Sequence, residues 1–173
     1  MARTVSDSAQ KAAAEDMVHD LNTMEGVDAE VSVRTSGTNP RNTVSVDCSS
    51  ESWRQLAECL RVKHGVDYCS MVTGIHWPEG GPDKNWEVVY HFMRMGISEP
   101  PVIDGMVQPI MTDPSSLRGK EVPLEIEVRV VLPETREPKI ASVQDIWSGA
   151  DWNEKETWDL VGIDFEGHVG MRR

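Results

Sequence analysis

The chain has 173 residues, of which 39% are hydrophobic and 27% are charged, and its formal net charge is −12. This length suits one domain with a buried core, and the composition is that of an ordinary globular protein. The excess of acids repels phosphates, so the charge argues against direct binding of nucleic acid or of anionic lipid headgroups. No run approaches the roughly 20 apolar residues of a membrane helix. Residues 1–17 lack the apolar block of a secretory signal, so we expect a cytosolic location.

The residue types that usually carry metal or nucleophilic chemistry are sparse and poorly spaced. Cys48, Cys59 and Cys69 follow one another at intervals of 11 and 10 residues, which match no metal or redox motif. The histidines do not stand three or four residues from one another or from a cysteine, and no phosphate-binding glycine loop or Gly-x-Ser-x-Gly turn occurs. We therefore expect no metal site, no bound cofactor and no active site within this chain.

The first part of the chain shows helical and strand periods in turn. Residues 8–23 place apolar side chains four apart, which predicts an amphipathic helix. Residues 27–34 and 43–48 alternate apolar with polar side chains, and the loop between them contains Gly, Asn and Pro, so these two runs predict a β-hairpin. Residues 52–63 repeat apolar side chains at intervals of three and four, which predicts a second helix.

The middle of the chain is dominated by strand patterns. Residues 68–77 and 86–95 are rich in β-branched and aromatic side chains, and the segment between them contains Pro and Gly, so they predict two strands joined by a turn. Residues 121–132 alternate Val, Leu and Ile with charged residues and predict the most regular strand. Residues 96–119 contain prolines and glycines without a sustained period, which predicts an irregular loop.

Together these elements predict an α+β fold. We expect a single domain with a mostly antiparallel sheet, helices packed on one face, and a C-terminal docking helix. The predicted division of the chain is an N-terminal helix at residues 1–26 and an α+β domain at residues 27–173, with the irregular loop at residues 96–119 inside it.

Residues 139–173 begin with a strand-like run and continue into a helix that is dense in carboxylates and tryptophans. Asp151 and Glu154 have the spacing of a capping box, in which the two side chains bond to backbone amides at the start of a helix. Gly162 is suited to end that helix. Because tryptophans and acids alternate around the helix, we expect no purely polar face and predict that another protein covers it.

The acids of this helix outnumber the bases available to pair with them. Lys155 stands four residues before Asp159 and can pair with it, while Arg172 and Arg173 can return to the helix. Since a buried unpaired carboxylate costs several kcal/mol, we expect a partner to supply Arg or Lys to the acids on and around the helix, which are Asp145, Glu154, Glu156, Asp159, Asp164 and Glu166.

Other interpretations of the same residues are open at this point. A solvated acidic face would explain the charges without any partner. A soluble binding module unconnected with membranes is a second alternative. A catalytic pair formed by Glu154 and Glu156, acting as general acid and base, would instead make the chain a stand-alone enzyme.

The end of the chain also resembles a known family. The run DIWSGADWNEKETWDLVGIDFEGHVGMRR is similar to the block D-I-W-x-x-A-x-W-x-E-R-E-x-x-D-hydrophobic-x-G-I-x-F-x-G-H-P-x-L-R-R of the 30-kDa subunit (the C subunit) of respiratory complex I and its relatives. The resemblance extends less closely upstream to residue 50. Lys155, Val169 and Met171 depart from the pattern, which has Arg, Pro and Leu there. The lysine keeps the charge and loses the bidentate geometry of arginine.

The resemblance implies a non-catalytic, cofactor-free subunit in the peripheral arm of a complex-I-like, ion-translocating oxidoreductase that transfers electrons to quinone. Its implied partners are the large catalytic subunit (D or 49-kDa type) and the adjacent iron–sulfur subunit, which hold the iron–sulfur clusters, on the cytoplasmic side of the cell membrane. The residues that we then expect at the subunit interface are Asp145, Trp152, Glu154, Lys155, Glu156, Trp158, Asp159, Phe165, His168, Arg172 and Arg173.

One departure leaves the branch of the family open. Quinone-reducing relatives typically continue with a second Gly-His-Pro-Leu-Arg-Lys-Asp-like segment, which is not found after Arg173 in this sequence. The alternative is therefore the equivalent subunit of a membrane-bound energy-converting nickel–iron hydrogenase, in which nickel–iron would lie in a partner subunit.

Overall fold

The computed structural model describes residues 7–36, 39–78, 86–96, 102–103, 106–107, 117, 119–133 and 135–171. Within these residues the chain forms helices α1 (Asp7–Leu21), α2 (Trp53–Val62) and α3 (Ser148–Val161), and strands β1 (Val27–Ser36), β2 (Asn39–Ser49), β3 (Tyr68–His76), β4 (Trp86–Arg94), β5 (Val102–Ile103), β6 (Met106–Val107), β7 (Leu124–Leu132), β8 (Lys139–Ala141) and β9 (Asp164–Glu166). None of these helices combines the length and the apolar character that crossing a bilayer requires.

Five strands form the central sheet in the order β1-β2-β7-β4-β3. The pair β2 and β7 is parallel, and the other three neighbouring pairs are antiparallel. The predicted hairpin is confirmed, since β1 and β2 pair in register from Val27 opposite Cys48 to Ser36 opposite Asn39. The expected α+β domain with a mostly antiparallel sheet is therefore confirmed.

The two faces of the sheet differ because side chains alternate along each strand. On β7 every second residue is buried beneath the helices, from Leu124 to Leu132. The intervening positions point to the other face, where Arg129 donates to Asp47 over 2.7 Å and Arg34 pairs with Glu127. The helices thus cover one face, as predicted, and the opposite face carries cross-strand ion pairs.

A cluster of aromatic rings joins the C-terminal segment to the sheet. Trp53 of α2 stacks on Tyr90 of β4 with ring centroids 4.2 Å apart, and Phe92 lies 4.4 Å from Trp147. The indole N–H of Trp147 donates to the carbonyl oxygen of Val66 over 2.9 Å. Residues 139–171 therefore share the core of the domain instead of forming a separate appendage.

The predicted elements agree with the structure apart from some boundaries. The strand expected at residues 121–132 begins at Leu124, because Gly119–Glu121 form a short 3-10 helix and Pro123 has no amide hydrogen to donate. Most of the predicted loop at residues 96–119 lies outside the described residues. In the described part of this loop, β5 and β6 pair as a short antiparallel ribbon. The division at residue 26 stays a prediction, although α1 buries Met17 and Leu21 in the same core.

Candidate docking surface on the C-terminal helix

Helix α3 is held between a parallel pair of strands and the edge of the central sheet. Strands β8 and β9 pair with each other on either side of it in sequence, with Ile140 opposite Phe165. The helix packs against β3 so closely that a Cβ at Gly149 would lie 2.6 Å from the carbonyl oxygen of Cys69. Thr157 donates its hydroxyl to the carbonyl of Val72 over 3.3 Å. The position of α3 on the domain is therefore fixed by backbone contacts.

Glu154 lies on the inner face of α3 and is fully buried. Its Oε2 accepts from the hydroxyl of Ser142 over 2.5 Å, and its Oε1 accepts from the backbone N–H of Val143 over 2.9 Å. Burial raises the pKa of the Glu154 carboxyl, while these two donors and the nearby His168 act in the opposite direction. Glu154 thus ties the segment after β8 to the helix from inside the protein.

His168 follows β9 and inserts its ring beneath the start of α3. Its side chain is inaccessible to solvent, and Nε2 lies 3.1 Å from the Asp151 carboxylate and 3.9 Å from that of Glu154. Lys155 contacts the same Asp151 carboxylate over 2.8 Å. The hydrogen bond from Lys155 lowers the pKa of Asp151 below its usual range. His168 therefore fixes the segment after β9 against the first turns of α3.

The outer face of α3 consists of Trp152, Glu156, Asp159 and Leu160. At about 100° per residue these four positions fall within roughly 100° of arc around the helix axis. All four are exposed, and Trp152 and Leu160 are each 74% exposed. Exposed large apolar side chains that share one face with acids mark a candidate surface for binding another protein.

Asp145 lies in the turn before α3 and forms an ion pair with an arginine of the same chain. Arg54 of α2 donates to both of its oxygens, over 2.7 and 2.6 Å, and also to the carbonyl of Ser142 over 2.9 Å. The hydrogen bonds from Arg54 lower the pKa of Asp145. The expectation that Asp145 and Glu154 need cations from a partner is wrong, because this chain supplies donors to both.

Two predicted local contacts of α3 differ in the structure. The helix begins at Ser148 with no side-chain cap on its N-cap residue Trp147, so Asp151 lies inside the first turns and the capping box is wrong. Lys155 pairs with Asp151, four residues before it, instead of with Asp159. The predicted stop at Gly162 is confirmed, with the residue in the left-handed region at φ 90°.

The residues predicted for the interface are divided between the inside and the outside of the domain. Phe165 is buried in the core, Glu154 and His168 are enclosed, and Trp158 is half-buried against the core. Arg172 and Arg173 lie outside the described residues. The interface assignment stays a prediction, and the outer face of α3 is the part of it that offers exposed apolar area.

The catalytic pair considered from the sequence does not assemble. Glu154 and Glu156 are two positions apart and so project about 200° from each other around the helix. Glu154 is enclosed by Ser142 and Val143, whereas Glu156 is exposed on the outer face. The two carboxylates therefore cannot act on one substrate from opposite sides.

Sequence reasoning missed one cluster of metal-ligating residues at the ends of the first two helices. Asp20, Cys59 and His64 bring one carboxylate oxygen, one sulfur and one ring nitrogen within 4.8 Å of one another. Cys59 and His64 are five residues apart, which is outside the i,i+3 and i,i+4 spacings of local metal sites. Asp20 is brought to them only by the packing of α1, which no local spacing reveals.

Comparison with protein families identifies the group to which the chain is similar. The family model described as "Respiratory-chain NADH dehydrogenase, 30 Kd subunit" matches residues 46–173. The J subunit of the NAD(P)H-quinone oxidoreductase of Synechococcus sp. (strain CC9902) is 32% identical over 110 residues, which cover 64% of this chain and 49% of that protein. The corresponding J subunit of Synechococcus sp. (strain CC9605) is 32% identical over 119 residues, which cover 68% of this chain and 54% of that protein. The chain thus spans about half the length of the curated relatives it matches.

Solved structures share the fold. The trypsin-resistant fragment (1-134) of Nqo5 superposes with a TM-score of 0.58 at 23% identity, covering 90% of this chain and 97% of that one. A chain of the membrane-bound sulfane sulfur reductase, an archaeal respiratory membrane complex, superposes with a TM-score of 0.56 at 18% identity, covering 91% of this chain and 73% of that one. The family match covers most of the chain, including all of α3, and on that basis the chain belongs to the family of the 30-kDa subunit of respiratory-chain NADH dehydrogenase.

Proposed function

We propose that this chain is a non-catalytic subunit of the peripheral arm of a complex-I-like, ion-translocating oxidoreductase, and that the outer face of α3 docks on the large catalytic subunit. In this role the chain holds no redox cofactor of its own, and the iron–sulfur clusters belong to the partner subunits. The complex would lie on the cytoplasmic side of the membrane, with electrons passing to quinone.

The observation that carries this proposal is the exposure of Trp152 and Leu160. Each is 74% exposed, and both lie in the segment that carries the family's sequence pattern. Tryptophan is among the residues that contribute most to binding when a partner desolvates it. The helix beneath it is fixed by Glu154 and Thr157, so little conformational entropy is lost on binding.

The chemistry of the outer face defines the partner surface that would fit it. Glu156 and Asp159 place two carboxylates between the exposed Trp152 and Leu160. A complementary partner would offer an apolar pocket for the indole ring with Arg or Lys at its edge. The cation expected from a partner is thus assigned to Glu156, which is exposed on the outer face, since Asp145 and Glu154 have donors within the chain.

Co-expression with the large catalytic subunit and the iron–sulfur subunit tests the proposal. The double variant Trp152→Ala, Leu160→Ala should reduce recovery of the complex at least about tenfold, which corresponds to roughly 1.4 kcal/mol of binding free energy. The double variant Glu156→Gln, Asp159→Asn should reduce it less and make the remaining binding less sensitive to salt. Undiminished assembly of both variants would contradict the docking role.

A matched control separates docking from a general effect of surface hydrophobicity. Val62 at the end of α2 is 81% exposed and lies outside the outer face of α3, so Val62→Ala should leave assembly unchanged. The identity of the copurified large subunit distinguishes the branches. Two pairs of nickel-binding cysteines in it would indicate the hydrogenase, and their absence would indicate the quinone reductase.

A further inference from the structure

The C-terminal ends of α1 and α2 meet at a mixed group of side chains that the docking role does not use. Asp20 comes from α1, Cys59 from the last turns of α2, and His64 from the turn after it. Their three potential ligand atoms all lie within 4.8 Å of one another. Asp20 and Cys59 are half-buried and His64 is 8% exposed, so the group is sheltered and still open to small ions.

We propose that Asp20, Cys59 and His64 form a binding site for a borderline-soft divalent cation, with Zn²⁺ as the favoured ion. Zinc accepts thiolate, imidazole and carboxylate ligands together, with bonds of about 2.0–2.3 Å in a tetrahedral arrangement. Magnesium and calcium are disfavoured because they prefer sites made of oxygen ligands. Three protein ligands leave the fourth position to water, as in open zinc sites.

The backbone around the site is held in place by contacts within the chain. The carbonyl of Cys59 accepts from the amides of Lys63 and His64 over 2.9 and 3.2 Å, which fixes the turn that brings His64 back towards the helix. The buried guanidinium of Arg94 donates to the carbonyl of His64 over 3.3 Å. Two ligands therefore share one rigid turn, and only side-chain rotation is needed to close the site.

The end of α1 is fixed as well. The side-chain amide of Asn22 donates to the carbonyl of Ala29 over 2.9 Å, and its oxygen accepts from the Ala29 amide over 2.7 Å. This pair of bonds anchors the turn that follows Asp20 to β1. A cation shared by Asp20, Cys59 and His64 would join the ends of α1 and α2 directly.

Both oxygens of the Asp20 carboxylate already have partners within the chain. Nε2 of His64 lies 2.8 Å from Oδ2, and Nζ of Lys63 lies 2.5 Å from Oδ1. Zinc would take the place of the proton between His64 and Asp20 and would displace the thiol proton of Cys59 to solvent. Because Lys63 neutralises the same carboxylate and repels a bound cation, this lysine should weaken the affinity of the site.

Titration of the reduced, chelator-treated full chain with Co²⁺ tests the site. We expect one equivalent of Co²⁺ to bind with the visible bands of a tetrahedral ion and a thiolate-to-cobalt charge-transfer band, and Zn²⁺ to displace it. Cys59→Ser should abolish the charge-transfer band and weaken binding by more than the roughly 10- to 100-fold that loss of an outer-shell partner costs. Lys63→Gln should tighten binding.

Matched variants distinguish loss of a metal ligand from a general effect of the substitution. His19→Gln removes an exposed histidine beside Asp20 and should leave the titration unchanged, while His64→Gln should shift the visible bands and weaken binding. Circular dichroism checks that each variant is folded, and His64→Gln replaces Cys59→Ser as the deciding variant if the latter does not fold. Absence of a charge-transfer band at saturating Co²⁺, or its persistence in Cys59→Ser, would overturn the proposal.

Discussion

The inner and outer faces of α3 carry similar residue types, but the side chains are buried and hydrogen-bonded on the inner face and exposed to solvent on the outer face. On the inner face, Glu154 receives donors from Ser142 and Val143, and Thr157 bonds to the backbone of β3. On the outer face, Trp152 and Leu160 are each 74% exposed. One helix thus completes the domain with one side and, in our proposal, binds a partner with the other.

The number of acids and tryptophans in a helix therefore does not show which of them stabilise the fold and which bind a partner. A carboxylate that is enclosed and bonded contributes to the uniqueness of the fold, and its removal leaves unpaired donors in the interior. An exposed tryptophan contributes nothing comparable to the isolated domain. Substitutions on the two faces should therefore separate loss of stability from loss of binding.

Glu154→Ala should have the largest effect on stability. It leaves the Val143 N–H and the Ser142 hydroxyl without their acceptor and opens a cavity, so we expect a loss of about 3 kcal/mol in the free energy of unfolding. Urea denaturation measures this loss. Glu154→Gln is the matched control, because its amide can still accept from Val143 and donate to Ser142, and it should cost less than about half as much. Equal losses in the two variants would contradict the assigned hydrogen bonds.

Gly149→Ala should destabilise the contact between α3 and β3. The added Cβ would lie 2.6 Å from the carbonyl oxygen of Cys69, so helix or strand must shift at a cost of about 2 kcal/mol. This loss should outweigh the gain of up to about 1 kcal/mol that Ala brings over Gly inside a helix. The neighbouring exposed Ser148→Ala should change thermal stability little, and a stabilised Gly149→Ala variant would disprove the close approach.

The stability that Glu154 contributes on the inner face should depend on pH. Because the folded state raises the pKa of Glu154, this group contributes stability that is fully present below the unfolded pKa of about 4.3 and is lost as pH rises towards the folded value. The stability of the wild type relative to Glu154→Gln should therefore fall with rising pH across that window. Arg54 lowers the pKa of Asp145, so the stability that Asp145 contributes is lost as pH falls. Both the wild type and Glu154→Gln contain Asp145, so this loss does not affect the difference between their stabilities. A relative stability that rises with pH would contradict the sign.

Substitutions on the outer face should have the smallest effect on stability. Trp152→Ala, Leu160→Ala should leave the free energy of unfolding within about 0.5 kcal/mol of the wild type per site, since neither side chain belongs to the core. Ile163→Ala, at a buried position just beyond α3, is the contrasting variant and should cost about 3 kcal/mol. Comparable losses in both would mean that the outer face stabilises the isolated domain.

Much of the fold could be predicted because most elements are regular in their periods. The alternation in residues 121–132 and the hairpin of β1 and β2 follow from side-chain patterns, and Gly162 ends α3 for a local steric reason. The capping box failed because Trp147 and the turn before it are held by the core, which moves the start of the helix to Ser148. Local spacing cannot anticipate an N-terminus set by tertiary contacts.

The candidate docking surface was only partly predictable for the same reason. The sequence showed which residues are large and charged, and it could not show that Arg54 pairs with Asp145 or that Ser142 encloses Glu154, since these partners are far apart in the chain. The same limit hid the group of Asp20, Cys59 and His64. The sequence analysis also left Leu160 out of the expected interface, because only the packing of α3 on the domain determines which of its side chains stay exposed.

Oxidative footprinting of Trp152 in the isolated chain and in the assembled complex measures whether docking buries the outer face of α3. Trp152 is 74% exposed, and Trp77, at 47% exposed just after β3, serves as an internal reference outside α3. We predict that assembly with the large catalytic subunit suppresses oxidation of Trp152 at least about tenfold relative to Trp77, because docking buries the indole ring. Equal oxidation of Trp152 in the free chain and in the intact complex would contradict the proposal that the outer face of α3 is the docking surface.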